Sequence, residues 1–205
     1  MTTGTYADTH ATIHRLALES FAEHELREVS PQRWRCSRPG TGVYGFWVLV
    51  ADGVVIVYGD IGEGIFRMSE PAASVIPWLR GAVQSTDYLL EKLRAGDFEQ
   101  GKEQFYPDDA VAWAHWNAEE HTEQDRYAKR ALDFYNDVKL SAENGDLHSD
   151  EFLRLASEAG LDDMYHVGRA PSASALWLVE ALTTFIRLID AKESADGVHA
   201  PATQS

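Results

Sequence analysis

The sequence has a single cysteine, Cys36, among its 205 residues, which excludes an internal disulfide and a cysteine-based metal cluster. It has no apolar run near the roughly 18 residues that a membrane-spanning helix needs. Its first residues lack the basic and apolar segments of a secretory signal peptide. We therefore expect a cytoplasmic protein in which Cys36 is a small, buried hydrophobic residue.

Basic residues are also scarce. The sequence has 18 Lys and Arg against 33 Asp and Glu, which gives a net charge of −15. The imbalance is local: residues 101–165 hold 16 acidic and 6 basic side chains, whereas residues 1–50 hold five of each. A surface this acidic repels nucleic-acid phosphates. We expect a partner with a basic surface, either a protein or a nucleoprotein complex, and no direct binding of nucleic acid.

The sequence contains no phosphate-binding loop, dinucleotide fingerprint or nucleophile elbow. His10 and His14, and likewise His115 and Glu119, have the i, i+4 spacing of a chelating pair, but neither pair has an evident third ligand. Solvated helix faces are the favoured interpretation of both pairs. We predict a protein that is not an enzyme, with no catalytic residue, no cofactor and no bound metal.

What the sequence does contain is a β-rich stretch built around Asp52-Gly53. An Asp-Gly pair supplies the positive φ angles of a two-residue hairpin loop. Such a loop pairs Trp47 with Tyr58, and Leu49 with Ile56.

Two further turn signals extend this hairpin on both sides. The turn at residues 39–42 pairs Trp34 with Trp47 in the expected register, and the turn at residues 60–64 pairs Tyr58 with Phe66. The stretch therefore predicts a four-stranded antiparallel meander.

Strict alternation then divides the side chains between two faces. The predicted core face carries Trp34, Cys36, Trp47, Leu49, Ile56, Tyr58, Phe66 and Met68. The other face combines valines and Phe46 with Arg33, Arg35 and Arg67. These arginines either form an anion site for a phosphate or nucleotide, or they pair with acidic helices that cover this face. A register shift of one residue would exchange the faces.

The rest of the chain has helical periodicity. We predict a first helix from Asp8 or Thr9 to about Glu28, and two short helices over 73–84 and 86–95. The segment from 107 to about 143 is one helix or two. A short helix over 150–159, capped by Ser149, and a last helix after Pro171 to about Ala191 complete the set. The fold class is therefore α+β, with a four-stranded meander sheet, an N-terminal helix and a mostly helical C-terminal half. The expected divisions are 1–96, an acidic helical region at 97–192 and a disordered tail at 193–205.

Six carboxylates concentrate in this acidic region. Like charges at i, i+4 destabilise a helix by a few tenths of a kcal/mol, a cost that solubility alone does not require. The group is either a partner-binding surface or an ordinary solvated face. Its members are Glu119, Glu120, Glu123, Asp125, Asp133 and Asp137.

The segments Trp34-Arg35-Cys36, Arg38-Pro39-Gly40-Thr41, Gly59-Asp60 and Trp78-Leu79 resemble an uncharacterised family of accessory proteins from tailed bacteriophages. The likeness covers about residues 32–94 and brings no catalytic residues with it. What it implies is a phage protein that acts inside a bacterial host.

In that context we expect a binding protein that inhibits a host nucleic-acid-handling or defence complex, of the anti-CRISPR or anti-restriction type, through its acidic surface. The alternatives are a binder or enzyme for a nucleotide-like anion at the three arginines, and a structural phage protein. A homodimer through the apolar C-terminal helix is a further alternative.

Overall fold

The computed structural model describes residues 4–51, 53–68, 75–96, 101–121 and 125–198. The chain forms two compact units: a sheet unit, Thr12–Lys102 with Ser172–Ser205, and a helical unit, Met1–Ala11 with Glu103–Pro171. Helix α1 (Tyr6–Phe21) contributes residues to both. This division differs from the expected one because the C-terminal helix belongs with the sheet.

The sheet has six antiparallel strands that are neighbours in chain order. They are β1 (Glu25–Ser30), β2 (Arg33–Ser37), β3 (Phe46–Ala51), β4 (Val54–Gly59), β5 (Gly62–Arg67) and β6 (Leu93–Gly96). The predicted α+β class and the meander of β2–β5 are confirmed, but the strand count of four is wrong. The two missed strands are the edges, which lie where the sequence predicts the end of one helix and the last residues of another.

The register of the central hairpin is confirmed, since Trp47 pairs with Tyr58. The registers on either side are wrong. Trp34 pairs with Val48, one residue away from the expected partner. Phe66 pairs with Val55, three residues away from the expected partner. Both shifts are odd, and an odd shift exchanges the faces of one strand relative to its neighbour.

Loop geometry explains both shifts. Between β2 and β3 the chain makes a second turn, in which Gly45 N–H donates to Gly42 C=O at 2.8 Å, and Tyr44 adopts a left-handed φ of 56°. The loop from β4 to β5 is tighter than expected, because Gly59 pairs with Gly62 across only two residues. A Cβ at Gly59 would lie 2.3 Å from the Gly45 oxygen, so only glycine fits this approach.

The two faces of the sheet therefore differ from the prediction in their middle strands. The helix-covered face carries fully or largely buried side chains: Cys36, Phe46, Val48, Val50, Val55, Val57 and Phe66. The open face carries Arg27, Arg33, Arg35, Trp47, Leu49, Ile56, Tyr58, Glu63, Ile65 and Arg67, all half-buried or exposed. Placing Trp47, Leu49, Ile56 and Tyr58 in the core was wrong, whereas Cys36, Phe66 and Met68 are buried as predicted.

The helix-covered face packs in one core with part of α1 and with helices α2 (Val75–Ala82), α3 (Thr86–Lys92) and α7 (Ala173–Val198). Leu178, Leu182 and Phe185 of α7 are completely buried there. The apolar side of the C-terminal helix thus packs inside the sheet unit. Helix α7 also continues past Glu193, where the sequence predicts a disordered tail.

The helical unit contains α4 (Pro107–Glu120), α5 (Asp125–Glu143), α6 (Ser149–Glu158), a short 3-10 turn (Met164–His166) and a two-stranded ribbon of β7 (Glu103–Phe105) and β8 (Arg169–Pro171). The long predicted helix is therefore two helices. His148, and not Ser149, caps α6, because its Nδ1 accepts from Glu151 N–H at 3.1 Å. Among the described residues, no helix is both long and apolar enough to cross a membrane.

Candidate functional site

The open face is organised by a row of side chains that runs directly across five strands. Arg27 of β1 lies opposite Arg35 of β2, which lies opposite Trp47 of β3. Trp47 lies opposite Tyr58 of β4, which lies opposite Glu63 of β5. We call this set the arginine–aromatic row. Strands about 4.8 Å apart make it about 19 Å long.

Arg33 contacts both aromatic residues at the centre of this row. Its Nη2 donates to the Tyr58 hydroxyl at 3.1 Å, and its guanidinium lies 4.4 Å from the centroid of the Trp47 ring. The rings of Trp47 and Tyr58 are parallel to within 5°, with centroids 6.1 Å apart. A ring-stacking contact contributes about 0.5–1.5 kcal/mol, and a cation–π contact at an exposed site contributes about 0.5–1 kcal/mol. The result is a fixed aromatic platform with a positive charge on it.

Three further arginines of the open face form no ion pair with a described carboxylate: Arg27 and Arg35 lie in the row beside the platform, and Arg67 lies four residues along β5 from Glu63. Arg35 lies 5.6 Å from the Trp47 centroid. In the parts of the chain that the structure describes, none of the three is within salt-bridge distance of a carboxylate. The prediction that Arg33, Arg35 and Arg67 share a face is confirmed by strand register. Their expected pairing with acidic helices does not occur among the described residues.

Like charges directly opposite each other destabilise an antiparallel sheet. Arg27 and Arg35 form such a pair, and no carboxylate adjoins them in the row. The carboxylates on this face, Glu25 and Glu63, sit at its margins. An anion held between the arginines would relieve their repulsion, so the electrostatics of the face favour an anionic ligand.

The loop between β2 and β3 is held by a buried histidine. His24 Nε2 donates to the Tyr44 carbonyl at 3.0 Å, and its ring packs against Phe21 and Phe46. Burial is the main cause that lowers the pKa of His24, although the bond to Tyr44 opposes it. His24 lies between α1 and β1, where the sequence predicts a continuous helix to about Glu28, and it fixes the position of the loop.

The predicted acidic surface is only partly described. Glu119, Glu120, Asp133 and Asp137 are exposed on α4 and α5. Glu119 Oε2 lies 3.6 Å from His115 Nδ1. Among the described side chains, the other three form no ion pair with Lys129 or Arg130. Glu123 lies outside the described residues, and the side chain of Asp125 is likewise not described.

The histidine pairs do not assemble into metal sites in the described residues. His14 Nδ1 lies 2.8 Å from Glu180 of α7, an ordinary helix–helix contact in the sheet unit. The described chain has no group of three or more His, Cys, Asp and Glu side chains placed to hold a metal ion.

Sequence reasoning missed three members of the candidate site. Trp47 and Tyr58 were assigned to the core, and Arg27 was placed on a helix. A usable signal was present in Arg33-Trp34-Arg35, where alternation puts both arginines on one face whatever partner strand the register selects. The missing information was the length of two loops.

Comparisons of this chain with protein-family models, with curated proteins and with solved structures return no match, so no enzymatic family is found for it.

Proposed function

We propose that this chain is a binding protein whose open sheet face takes a nucleotide-like ligand, meaning an anion that carries a flat ring. One observation carries the proposal: arginines without ion pairs lie beside a fixed and partly accessible pair of aromatic rings. Guanidinium groups bind phosphate through parallel hydrogen bonds. Aromatic rings stack on bases of any identity. The phosphate of such a ligand would contact the arginines, and its flat ring would stack on the aromatic side chains.

Arginines elsewhere in the described chain are of two kinds. Some form ion pairs with glutamate or aspartate: Arg15, Arg38, Arg80 and Arg154. Others have no described carboxylate within salt-bridge distance: Arg94, Arg130, Arg169 and Arg187. What distinguishes the open face is that its unpaired arginines lie together, with Arg27 directly opposite Arg35 and with Arg33 and Arg35 beside Trp47. This concentration of positive charge around an aromatic ring supports an external anion as the partner.

The test is a titration with a nucleoside triphosphate, followed through the indole N–H resonance of Trp47. Inorganic triphosphate supplies the charge without the ring, and the free nucleoside supplies the ring without the charge. We expect the nucleoside triphosphate to bind more tightly than either part. The double variant Arg33→Gln/Arg35→Gln should lose this binding.

Arg15→Gln is the matched control, because it removes an exposed charge from α1, on the helix layer of the same unit. It should bind as the unchanged protein does. Equal weakening by Arg15→Gln, or equal binding of inorganic triphosphate and nucleoside triphosphate, would contradict the proposal.

A second candidate is the inhibition of a host nucleic-acid-handling or defence complex by a phage protein, in the cytoplasm of the bacterial host. The specific observation in its favour is that Glu120, Asp133 and Asp137 are exposed and not paired with the neighbouring Lys129 or Arg130. Free carboxylates of this kind steer association with a basic protein surface.

This candidate is tested by the association rate with any complex that copurifies from a bacterial host. Asp133→Asn/Asp137→Asn should slow association at low salt, because steering depends on charge. Asp146→Asn/Asp162→Asn removes two exposed charges elsewhere in the helical unit and should have no comparable effect. Equal rates for both double variants would mean that the acidic face serves only solubility.

A further inference from the structure

The arginines of the open face lie on both sides of its aromatic centre. Arg27, Arg33 and Arg35 are on β1 and β2, whereas Arg67 is on β5. Three strand spacings separate β2 from β5, which is about 14 Å, and four separate β1 from β5, which is about 19 Å. Arg67 is also displaced along the strands, by two residues from Arg33 and by four from Arg35 and Arg27, so it lies about 16–23 Å from these arginines. One nucleotide whose base stacks on Trp47 would bring its phosphate to one side only. A single nucleotide therefore leaves part of the charge unused.

A strand of several nucleotides does span this distance. At about 3.4 Å per stacked nucleotide, 16–23 Å corresponds to about five to seven nucleotides. Between the arginine flanks, Leu49, Ile56 and Ile65 extend the apolar surface beside Trp47 and Tyr58. Bases can lie on this surface while phosphates reach the arginines. A charged groove that follows the backbone, together with aromatic platforms, is the usual design of single-strand binding sites.

The open face has few groups that could read base identity. Its described polar side chains, apart from the arginines, are the marginal carboxylates Glu25 and Glu63, serines near the edge and the Tyr58 hydroxyl, which Arg33 occupies. Sequence discrimination needs hydrogen bonds to base edges. The face therefore favours stacking that tolerates any sequence.

From these distances and contacts we infer that the open face binds single-stranded nucleic acid of about five to seven nucleotides, in preference to single nucleotides and to duplexes. A duplex is disfavoured because its bases are already stacked on both sides. The inference rests on the proposed nucleotide-binding function and specifies its ligand. It departs from the expectation of no direct nucleic-acid contact, which rested on the net negative charge and its concentration in residues 101–165.

The experiment measures fluorescence anisotropy of a labelled oligothymidylate of about 12 nucleotides, a duplex of the same length, and thymidine monophosphate as competitor. The single strand should bind most tightly. Arg35→Gln should weaken it, and should lower the slope of log affinity against log salt by about 0.7, the value for one phosphate contact on a single strand. Trp47→Ala should weaken it by about 5- to 150-fold, the range for one stacked base.

Arg15→Gln is again the charge-matched control and should leave both affinity and slope unchanged. If thymidine monophosphate competes as well as an equal concentration of the oligonucleotide, the inference fails while the proposed function stands. Equal binding of the duplex also overturns the inference. If neither nucleotide nor oligonucleotide binds, both fail. Concentration-dependent dimerisation abolished by Trp47→Ala, without oligonucleotide binding, would instead identify the face as an interface between two copies of the chain.

Discussion

Phe46 and Trp47 are adjacent aromatic residues in β3 that point to opposite faces of the sheet, so truncating each one tests the register. Phe46 is completely buried against Phe21 of α1. Phe46→Ala should therefore lower the free energy of unfolding by about 3–5 kcal/mol, the range for a large aromatic core residue. Trp47 is half-buried on the open face.

The expected loss for Trp47→Ala follows from its contacts. One parallel ring pair with Tyr58 and one cation–π contact with Arg33 contribute together about 1–2.5 kcal/mol. The half-buried ring also loses the burial of part of its apolar area, whereas Phe46→Ala loses all of the burial and leaves a cavity in the core. The loss for Trp47→Ala should therefore be the smaller one, and a difference of about 1 kcal/mol corresponds to about 0.5 M in the urea midpoint for a slope of about 2 kcal/mol/M.

Cys36 provides the assay, because it is the only cysteine and is buried in the sheet unit. A brief pulse of thiol reagent at each urea concentration reports the unfolding of this unit alone, which matters since the two units need not unfold together. Thiol labelling also does not depend on tryptophan fluorescence, which Trp47→Ala itself would change. A larger loss for Trp47→Ala than for Phe46→Ala would refute the face assignment, and with it the candidate site.

Three further predictions concern the sheet unit. Gly64→Ala should destabilise it by about 1–3 kcal/mol through overpacking, because the new Cβ would lie 2.6 Å from Leu178 Cδ1. The control in the same urea titration is Gly81→Ala, where no atom lies within 4 Å of the new Cβ. Since the pKa of His24 is lowered by burial, the unfolded chain takes up the proton first, so stability should fall as pH drops below about 6.5; His24→Phe should flatten this pH dependence in thermal unfolding. Burial raises the pKa of the Cys36 thiol, so the native protein should not react with a thiol reagent at pH 8, and rapid reaction would show that the core opens.

The sequence predicts the parts of the fold in which one signal dominates. Asp52-Gly53 determined the central hairpin, and the register of β3 and β4 follows from it. The apolar periodicity after Pro171 predicted α7, although the helix continues beyond the predicted end at about Ala191. The edge strand β1 was missed because its residues also continue a helical pattern and its structure depends on pairing with β2.

The faces of β3 and β4 were not predictable from alternation alone. Both sets of side chains are apolar, with Phe46 and valines on one face and Trp47, Leu49, Ile56 and Tyr58 on the other. Alternation identifies a core face only when the opposite face is polar. Which face of β3 and β4 is buried depends on their pairing with β2 and β5. That pairing depends on the loop between β2 and β3 and on the loop between β4 and β5. Their lengths depend on the left-handed conformation of Tyr44 and on the close approach at Gly59, which are tertiary features.

The net charge of −15 does not by itself oppose an anionic ligand at the open face, because charge is divided between the units. The helical unit holds 17 acidic and 6 basic residues, whereas the sheet unit holds 16 acidic and 12 basic. At physiological salt, interactions between exposed charges are largely screened beyond about 8 Å. A phosphate in contact with Arg35 therefore responds mainly to the arginines beside it. Any carboxylate farther from the bound phosphate than this screening distance acts mostly on the approach of the ligand, where repulsion slows association at low salt. Added salt thus weakens the contacts between the arginines and a bound anion, which raises the dissociation rate. It also screens the repulsion between the acidic protein and the approaching anion, which raises the association rate. The dissociation rate should carry most of the salt dependence, and a charge removed from the open face should change that rate more than the association rate.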